Sequence, residues 1–361
     1  MLNTIFYFLF ICCHYFFIQA EILFCNKKLL KIITVLLCFI IYYLLFGRIT
    51  DTTDWTGYEF IFDNDDFQID FMFRFLSSQT KLLNLSFVEL YQFHVFLTAL
   101  LLIFFITRFT SNLFFVLTFT ILILFIPLAN QIRFFLSLSL FLNAIYFLFI
   151  ERKFFLFFLL CCLSILNHIG ILLLVLFIPL FRIKNDKTFL KTLILLSIFI
   201  LIITNIFFSI GSILDDLRLN AYITDNYKSS FLGALYYNLP VLIFVYYIFK
   251  KRQQIVFKIR QHRDKKLYLL YRFTLFSFIF IPASFLTQIL LFRYCISVFF
   301  VWLLLNIKID NYLKINEKIS HSTFQFLFLW SYIIYIYFIP TLILNSNDSI
   351  EKVKLILNSI N

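Results

Sequence analysis

Arginines, carboxylates and one histidine standing at the edges of long apolar runs are the residues of this chain with chemistry to offer. Residues 47–62, GRITDTTDWTGYEFIF, place Arg48, Asp51, Asp54, Trp55 and Tyr58 close together. Such a set can hold a sugar, because carboxylates accept hydrogen bonds from hydroxyls and aromatic faces stack on the apolar face of a pyranose. It reads equally well as a solvated acidic loop with an interfacial Trp and Tyr belt. Arg133, in NQIRFFLSLSLF, lies between two apolar runs. A permanently charged guanidinium there is expensive unless it meets an anion, and its fork suits phosphate oxygens. His168, in ILNHIGILLL, could hydrogen-bond a substrate or take a proton near neutral pH, or simply close a helix end. Arg293 and Tyr294 stand at a further break, LLFRYCIS.

What must position these residues is a set of membrane helices. Of the 361 residues, 62% are hydrophobic and 14% charged, against about 25% charged in soluble domains. Nearly uncharged runs long enough to cross about 30 Å of hydrocarbon recur along the chain. Spans are expected near 2–20, 29–46, 88–107, 113–128, 134–150, 154–167, 169–181, 192–208, 232–249, 267–290, 294–307 and 323–344. The expected fold is an all-α integral membrane protein, a polytopic bundle of about 10–12 transmembrane helices forming a single domain over 1–361. The 55 Phe residues read as lipid-facing filler. Nothing basic precedes the first apolar run, whereas Lys27, Lys28 and Lys31 follow it; this reads as a first span with its N-terminus outside, and not as a signal peptide.

The net charge of +12 does not point to nucleic acid, since the basic residues cluster in short segments between spans. With the N-terminus outside, the inner segments collect 22 of the 31 Lys and Arg residues, and 13 of the 19 acidic residues fall outside. This is the asymmetry that the positive-inside rule expects. Two larger extracytoplasmic loops follow, about 47–87 and 209–231, the first of them rich in acids and aromatics. A basic cytoplasmic loop is expected at about 250–266, lying on anionic lipid head groups. The cysteines show no CxxC pair or metal-ligand spacing, so no metal and no cofactor is expected. Arg48, Arg133 and Arg293 would all lie at the outer membrane surface, the depth at which a lipid-borne diphosphate presents its charge.

In this order the elements resemble the EpsG family of polysaccharide-biosynthesis membrane proteins, relatives of the Wzy-like O-antigen and capsular polysaccharide polymerases. The likeness rests on Arg48, Asp51, Thr52 and Tyr58 after the second span, then Asp70, Phe71 and Phe73, then Gln131 and Arg133 opening a helix. Arg152-Lys153, His168 and a late Arg293-Tyr294 complete it, the best-matched region being about 40–182. Family members usually read Gly-Thr-Asp where this chain has Asp51-Thr52-Thr53-Asp54, so either aspartate could hold the usual place, and Asp70 is more often glutamate.

The resemblance implies a membrane glycosyltransferase of the bacterial cytoplasmic (inner) membrane that joins undecaprenyl-diphosphate-linked repeat units at its outer face. In that setting Asp51, Asp54 or His168 would supply the base, and Arg48, Trp55, Tyr58, Asp70, Arg133, Arg293 and Tyr294 would bind substrate. The partners implied are the undecaprenyl-diphosphate-linked oligosaccharide, membrane lipids, and the chain-length regulator and flippase of the same pathway. An O-antigen ligase-type enzyme would use the same donor. A lipid-linked oligosaccharide flippase would favour charges near the midplane and matching halves, whereas here the candidate charges gather on one face and no repeat is evident. A membrane acyltransferase would want an acidic partner for its histidine, and His168 has none nearby in sequence.

Overall fold

The computed structural model describes residues 28–52, 54–64, 70–210, 230–313 and 315–337, with Glu351 and Leu355. The span expected at 2–20 and most of the loop expected at 209–231 lie outside the described residues. The principal helices are α1 (Lys28–Phe46), α2 (Trp55–Asp63), α3 (Phe71–Leu82), α4 (Phe87–Thr107), α5 (Leu113–Asn130), α6 (Ile132–Tyr146), α7 (Phe154–Asn167), α8 (Asp186–Ile210), α9 (Phe231–His262), α10 (Lys265–Ser277), α11 (Phe299–Asp310) and α12 (Ile315–Tyr337). No strand forms among the described residues.

Seven of the described helices are long and apolar enough to cross a membrane. They are Phe87–Thr107, Leu113–Asn130, Ile132–Glu151, Asp186–Ile206, Phe231–His262, Lys265–Ser284 and Gln288–Asp310. Four shorter apolar helices, Lys31–Phe46, Phe154–Asn167, Ile169–Phe181 and Thr323–Tyr337, fall where the remaining spans were expected. The chain is therefore an all-α, multi-pass membrane protein. Its outer faces carry the signature of lipid contact. On α1, Leu29, Ile32, Ile33, Leu36, Ile40 and Leu44 are exposed while Cys38, Tyr42 and Phe46 are buried. On α8, Ile194, Leu195, Ile198, Phe199, Ile202 and Ile203 form a similar exposed stripe. Water would penalise such continuous apolar faces, and hydrocarbon does not.

The residues divide into two compact units, cut between Leu172 and Leu173 and again between Glu317 and Lys318. In the first unit α6 packs against α4 and α7, and α1 packs against α4 and α5. The segment expected as an extracytoplasmic loop at 47–87 is not irregular: it contains α2 and α3. Ser86 caps α4, its hydroxyl accepting from Val88 N while Glu89 reaches back to Ser86 N at 2.7 Å, a reciprocal capping box. Replacing Ser86 by alanine is expected to lower stability by about 1 kcal/mol, read as an earlier thermal unfolding of the detergent-solubilised protein.

In the second unit, α9 extends past the span expected at 232–249. The basic residues expected to form a loop at 250–266 continue the helix to His262. At 1.5 Å per residue its 32 residues run about 48 Å, well beyond the apolar core of a bilayer. Lys and Arg are good helix formers, so charge alone does not end a helix. The helix stops at Arg263, in the left-handed conformation (φ 51°), and Asp264 caps α10 by accepting from Lys266 N and Leu267 N. Burial pushes the Asp264 carboxyl up, but hydrogen bonds from Tyr312 and from those two amides, with the Lys308 charge, hold it below the usual carboxylate range.

Candidate functional site: an arginine–aspartate pair in an aromatic and amide setting

In the first unit, the start of α4, the end of α5, the start of α6 and the end of α7 come together. The opposite end is marked by Glu151, which pairs with Arg108 at 2.9 Å and with Lys153 at 2.7 Å. α5 and α6 are separated by a single residue, Gln131, after a local kink at Leu124 and Pro127. Arg133 thereby falls in the first turn of α6, where a helix dipole already favours anions. α7 ends at Asn167 because His168 is extended (φ −156°, ψ 110°), and the chain turns through Ile169–Ile171.

Arg133 Nη1 donates to Asp70 Oδ2 at 2.9 Å, with the side chains only 12% and 5% exposed. Asp70 stands at the N-cap of α3, a position where aspartate ordinarily accepts from its own helix. It makes no such cap bond. Its carboxylate is spent instead on Arg133 and on Ile169 N, which donates to Oδ1 at 3.2 Å. One carboxylate thus ties α3, α6 and the turn after α7. The guanidinium lies 4.8 Å from the Tyr58 ring and 5.0 Å from the Phe73 ring. Among the described residues, Arg133 Nε is buried with no hydrogen-bond partner. Within that set this arginine has one anion and two π faces, with donor capacity left over.

Around the pair lies a polar layer. Asn167 Nδ2 donates to Arg133 O and to Ser137 Oγ, both at 2.8 Å, and Ser164 Oγ donates to Ser137 O at 2.6 Å. His94, fully buried in α4, has its ring 5.6 Å from Phe73. Its Nδ1 meets Leu90 O at 2.9 Å, which assigns the proton to Nδ1 and leaves Nε2 as an acceptor. The Arg133 charge reaches it, and Asn167 approaches it without a hydrogen bond of ordinary geometry. Sequence reasoning passed over His94 and Asn167. The available signal was a polar side chain inside an apolar span, which is costly in a membrane helix and needs a reason.

The sequence-predicted residues are thus partly gathered. Tyr58, Asp70 and Arg133 form the cluster, and the turn after His168 closes it. His168 Nδ1 accepts from Gly170 N at 3.0 Å, and its ring stands edge-on to Phe134. A neutral His168 with Nδ1 so occupied carries its proton on Nε2, which makes it a donor before it is a base. Trp55 is buried against Phe87 and Tyr91, so it supports the wall and offers little surface for stacking a sugar. Arg48, Asp51 and Asp54 are exposed, beyond the end of α1; that end lies near the end of α5, through Phe46 and Phe125. Arg293 and Tyr294 belong to the second unit, in the π-turn Leu291–Cys295, where Tyr294 is buried and stacked on Phe280.

Among the described residues no group of His, Cys, Asp or Glu side chains could hold a metal ion. The arrangement can bind and polarise an anion through a positioned guanidinium, with aromatic walls and exposed carboxylates close in sequence.

No curated protein and no solved structure matches the chain. The family model described as EpsG family matches residues 31–350. The motif likeness covered less of the chain, whereas this match takes in both compact units, with Asp70 and Arg133 in one and Arg293 in the other. The chain belongs to the EpsG family, a Wzy-like, polymerase-type family of membrane proteins.

Proposed function

We propose that this protein is a polysaccharide polymerase of the bacterial cytoplasmic membrane that joins undecaprenyl-diphosphate-linked repeat units at the outer face. Family membership supports the reaction class, and the Asp70–Arg133 pair is the observation that carries the assignment to a site. In glycosyl transfer the bond from the anomeric carbon to the diphosphate oxygen breaks, and a bond to the acceptor hydroxyl oxygen forms. The departing diphosphate keeps the electron pair and gathers negative charge. A guanidinium already oriented by Asp70 stabilises that charge without reorganising. Tyr58 and Phe73 hold its orientation and keep it partly dry, which strengthens the interaction. The acceptor proton passes to a carboxylate. Asp51 and Asp54, exposed just before α2, are the carboxylates for this role, and His168 is not, because its acceptor nitrogen is occupied by Gly170 N. His168 then donates from Nε2 to a phosphate or sugar oxygen.

The direct test is the purified protein in lipid vesicles supplied with a lipid-diphosphate-linked repeat unit. The expected products are glycans of two or more units on lipid together with released lipid diphosphate. Movement of intact single units across the vesicle membrane without lengthening would replace this reading with a flippase. Transfer only to a different acceptor would replace it with a ligase.

A further inference from the structure

We infer that the second unit holds a separate site for a phosphate group, at the membrane end where α9 meets α10. A cavity of about 240 Å³ opens there, lined by Lys184, Asp186, Arg260, Tyr268, Tyr271 and Arg272 among others. Arg272 is the informative residue. It is 1% exposed, yet it lines the cavity. Phe189 and Tyr268 cover its guanidinium, at 3.9 and 4.9 Å from the ring centroids. Ring faces satisfy the flat of a guanidinium and leave its in-plane N–H groups to find acceptors. Nη2 donates to Lys184 O at 3.3 Å and lies 3.9 Å from Asp186. Nε and Nη1 are buried with no hydrogen-bond partner among the described residues. Buried donors left without acceptors are rare and point to a missing group.

Asp186 gives Arg272 a counter-charge at 3.9 Å but no acceptor for Nε or Nη1. Asp186, the acid of this cluster, is committed to Arg252 Nε at 2.8 Å and to Tyr271. Lys184 and Arg260 stand exposed at the mouth. The cavity is therefore cationic, with a deep arginine and two outer basic groups, and its volume is adequate for a phosphate or phosphodiester. A phosphate reaching Arg272 would bring an acceptor oxygen to its orphaned edge while other oxygens meet Lys184 and Arg260.

The cavity shares no residue with the Asp70–Arg133 cluster. The helical stretch Lys265–Ser284 runs from the cavity-lining Tyr268, Tyr271 and Arg272 on toward Arg293, and its 12 residues after Arg272 rise about 18 Å within the same unit. The phosphate could belong to an anionic lipid head group or to a soluble phosphorylated compound, and the test separates the two. The full chain is reconstituted in nanodiscs of neutral phosphatidylcholine, and thermal unfolding is followed against added phosphatidylglycerol or against inorganic phosphate at constant ionic strength. One probe is expected to raise the unfolding temperature. Its apparent affinity is expected to fall about tenfold, equivalent to about 1.4 kcal/mol, in a variant carrying Lys184→Gln and Arg260→Gln. Both side chains are exposed, so folding is not at stake. A control with Lys250→Gln and Lys251→Gln removes the same charge from outside the cavity and is expected to respond as the wild type. Response to the lipid assigns a head-group site, and response to phosphate a soluble ligand. The proposal is overturned if neither probe stabilises the protein. It is equally overturned if the cavity variant responds as the wild type does, or if the control loses the response equally.

Discussion

Arg133→Lys is expected to leave the protein inserted and folded while cutting glycan chain extension by on the order of 100-fold or more. The lysine variant is chosen over alanine because Asp70 is nearly buried. Removing its cation altogether would leave a lone carboxylate at a cost of about 3–5 kcal/mol, and lost activity would then say nothing about chemistry. A lysine ammonium can still neutralise Asp70, but it is a single point charge. It lacks the planar fork that leaves donors for a diphosphate while one nitrogen holds Asp70, and it cannot fill the slot between Tyr58 and Phe73 as a flat cation. The measurement is glycan length on gels from cells carrying each variant, with protein abundance in the membrane as the control. Single repeat units should accumulate. Long chains at wild-type level in a well-expressed lysine variant would remove Arg133 from the reaction.

The largest expected loss of stability lies elsewhere, at Asp186. Its carboxylate accepts two hydrogen bonds from Arg252, one from Tyr271 at 3.3 Å, and faces Arg272 at 3.9 Å. Asp186→Ala would strand Arg252 and the buried Arg272 without a counter-charge, and breaking one side of such a pair costs about 3–5 kcal/mol. The expected readout is an unfolding temperature many degrees lower in detergent, with reduced membrane abundance. Adding Arg252→Met should restore part of the loss, because it removes one stranded charge and keeps apolar bulk. A double variant no more stable than Asp186→Ala alone would show that the cluster is not held together by this charge pairing. The effect should be far larger than that of Ser86→Ala, since a helix cap at a water-accessible end can be replaced by solvent and a buried counter-ion cannot.

The two clusters differ in how visible they were beforehand. Arg133 could be singled out from the chain alone, because an arginine flanked by apolar runs violates the cost of charge in hydrocarbon. Its partner could not. Asp70 is 63 positions away and sits at an N-cap, where aspartate is common for purely local reasons. Only the tertiary structure shows that the carboxylate abandons its own helix for Arg133 and Ile169 N. His168 was legible as a polar residue at a break, but its tautomer depends on Gly170 N, and hence on the geometry of one turn. Trp55 was legible as an interfacial aromatic, and packing against Phe87 and Tyr91 decided that it supports the wall.

Sequence by itself determined that the chain is helical and crosses a membrane many times, and eleven expected spans have their counterparts in order among the described helices. The reason is that lipid leaves helices as the way for such runs to satisfy their backbone, and hydropathy is additive along the chain. The family, too, was legible from a few spaced residues. What the tertiary structure alone decided was which charges meet. It moved the basic stretch after Lys250 from a loop into the continuation of α9, gave α2 and α3 to a stretch read as loop, and placed His94 and Asn167 beside Arg133. Pairing between helices depends on register and rotation, and a few degrees about a helix axis decides whether a side chain faces lipid or an ion. Hydropathy, which sums over a window, carries no information about that angle.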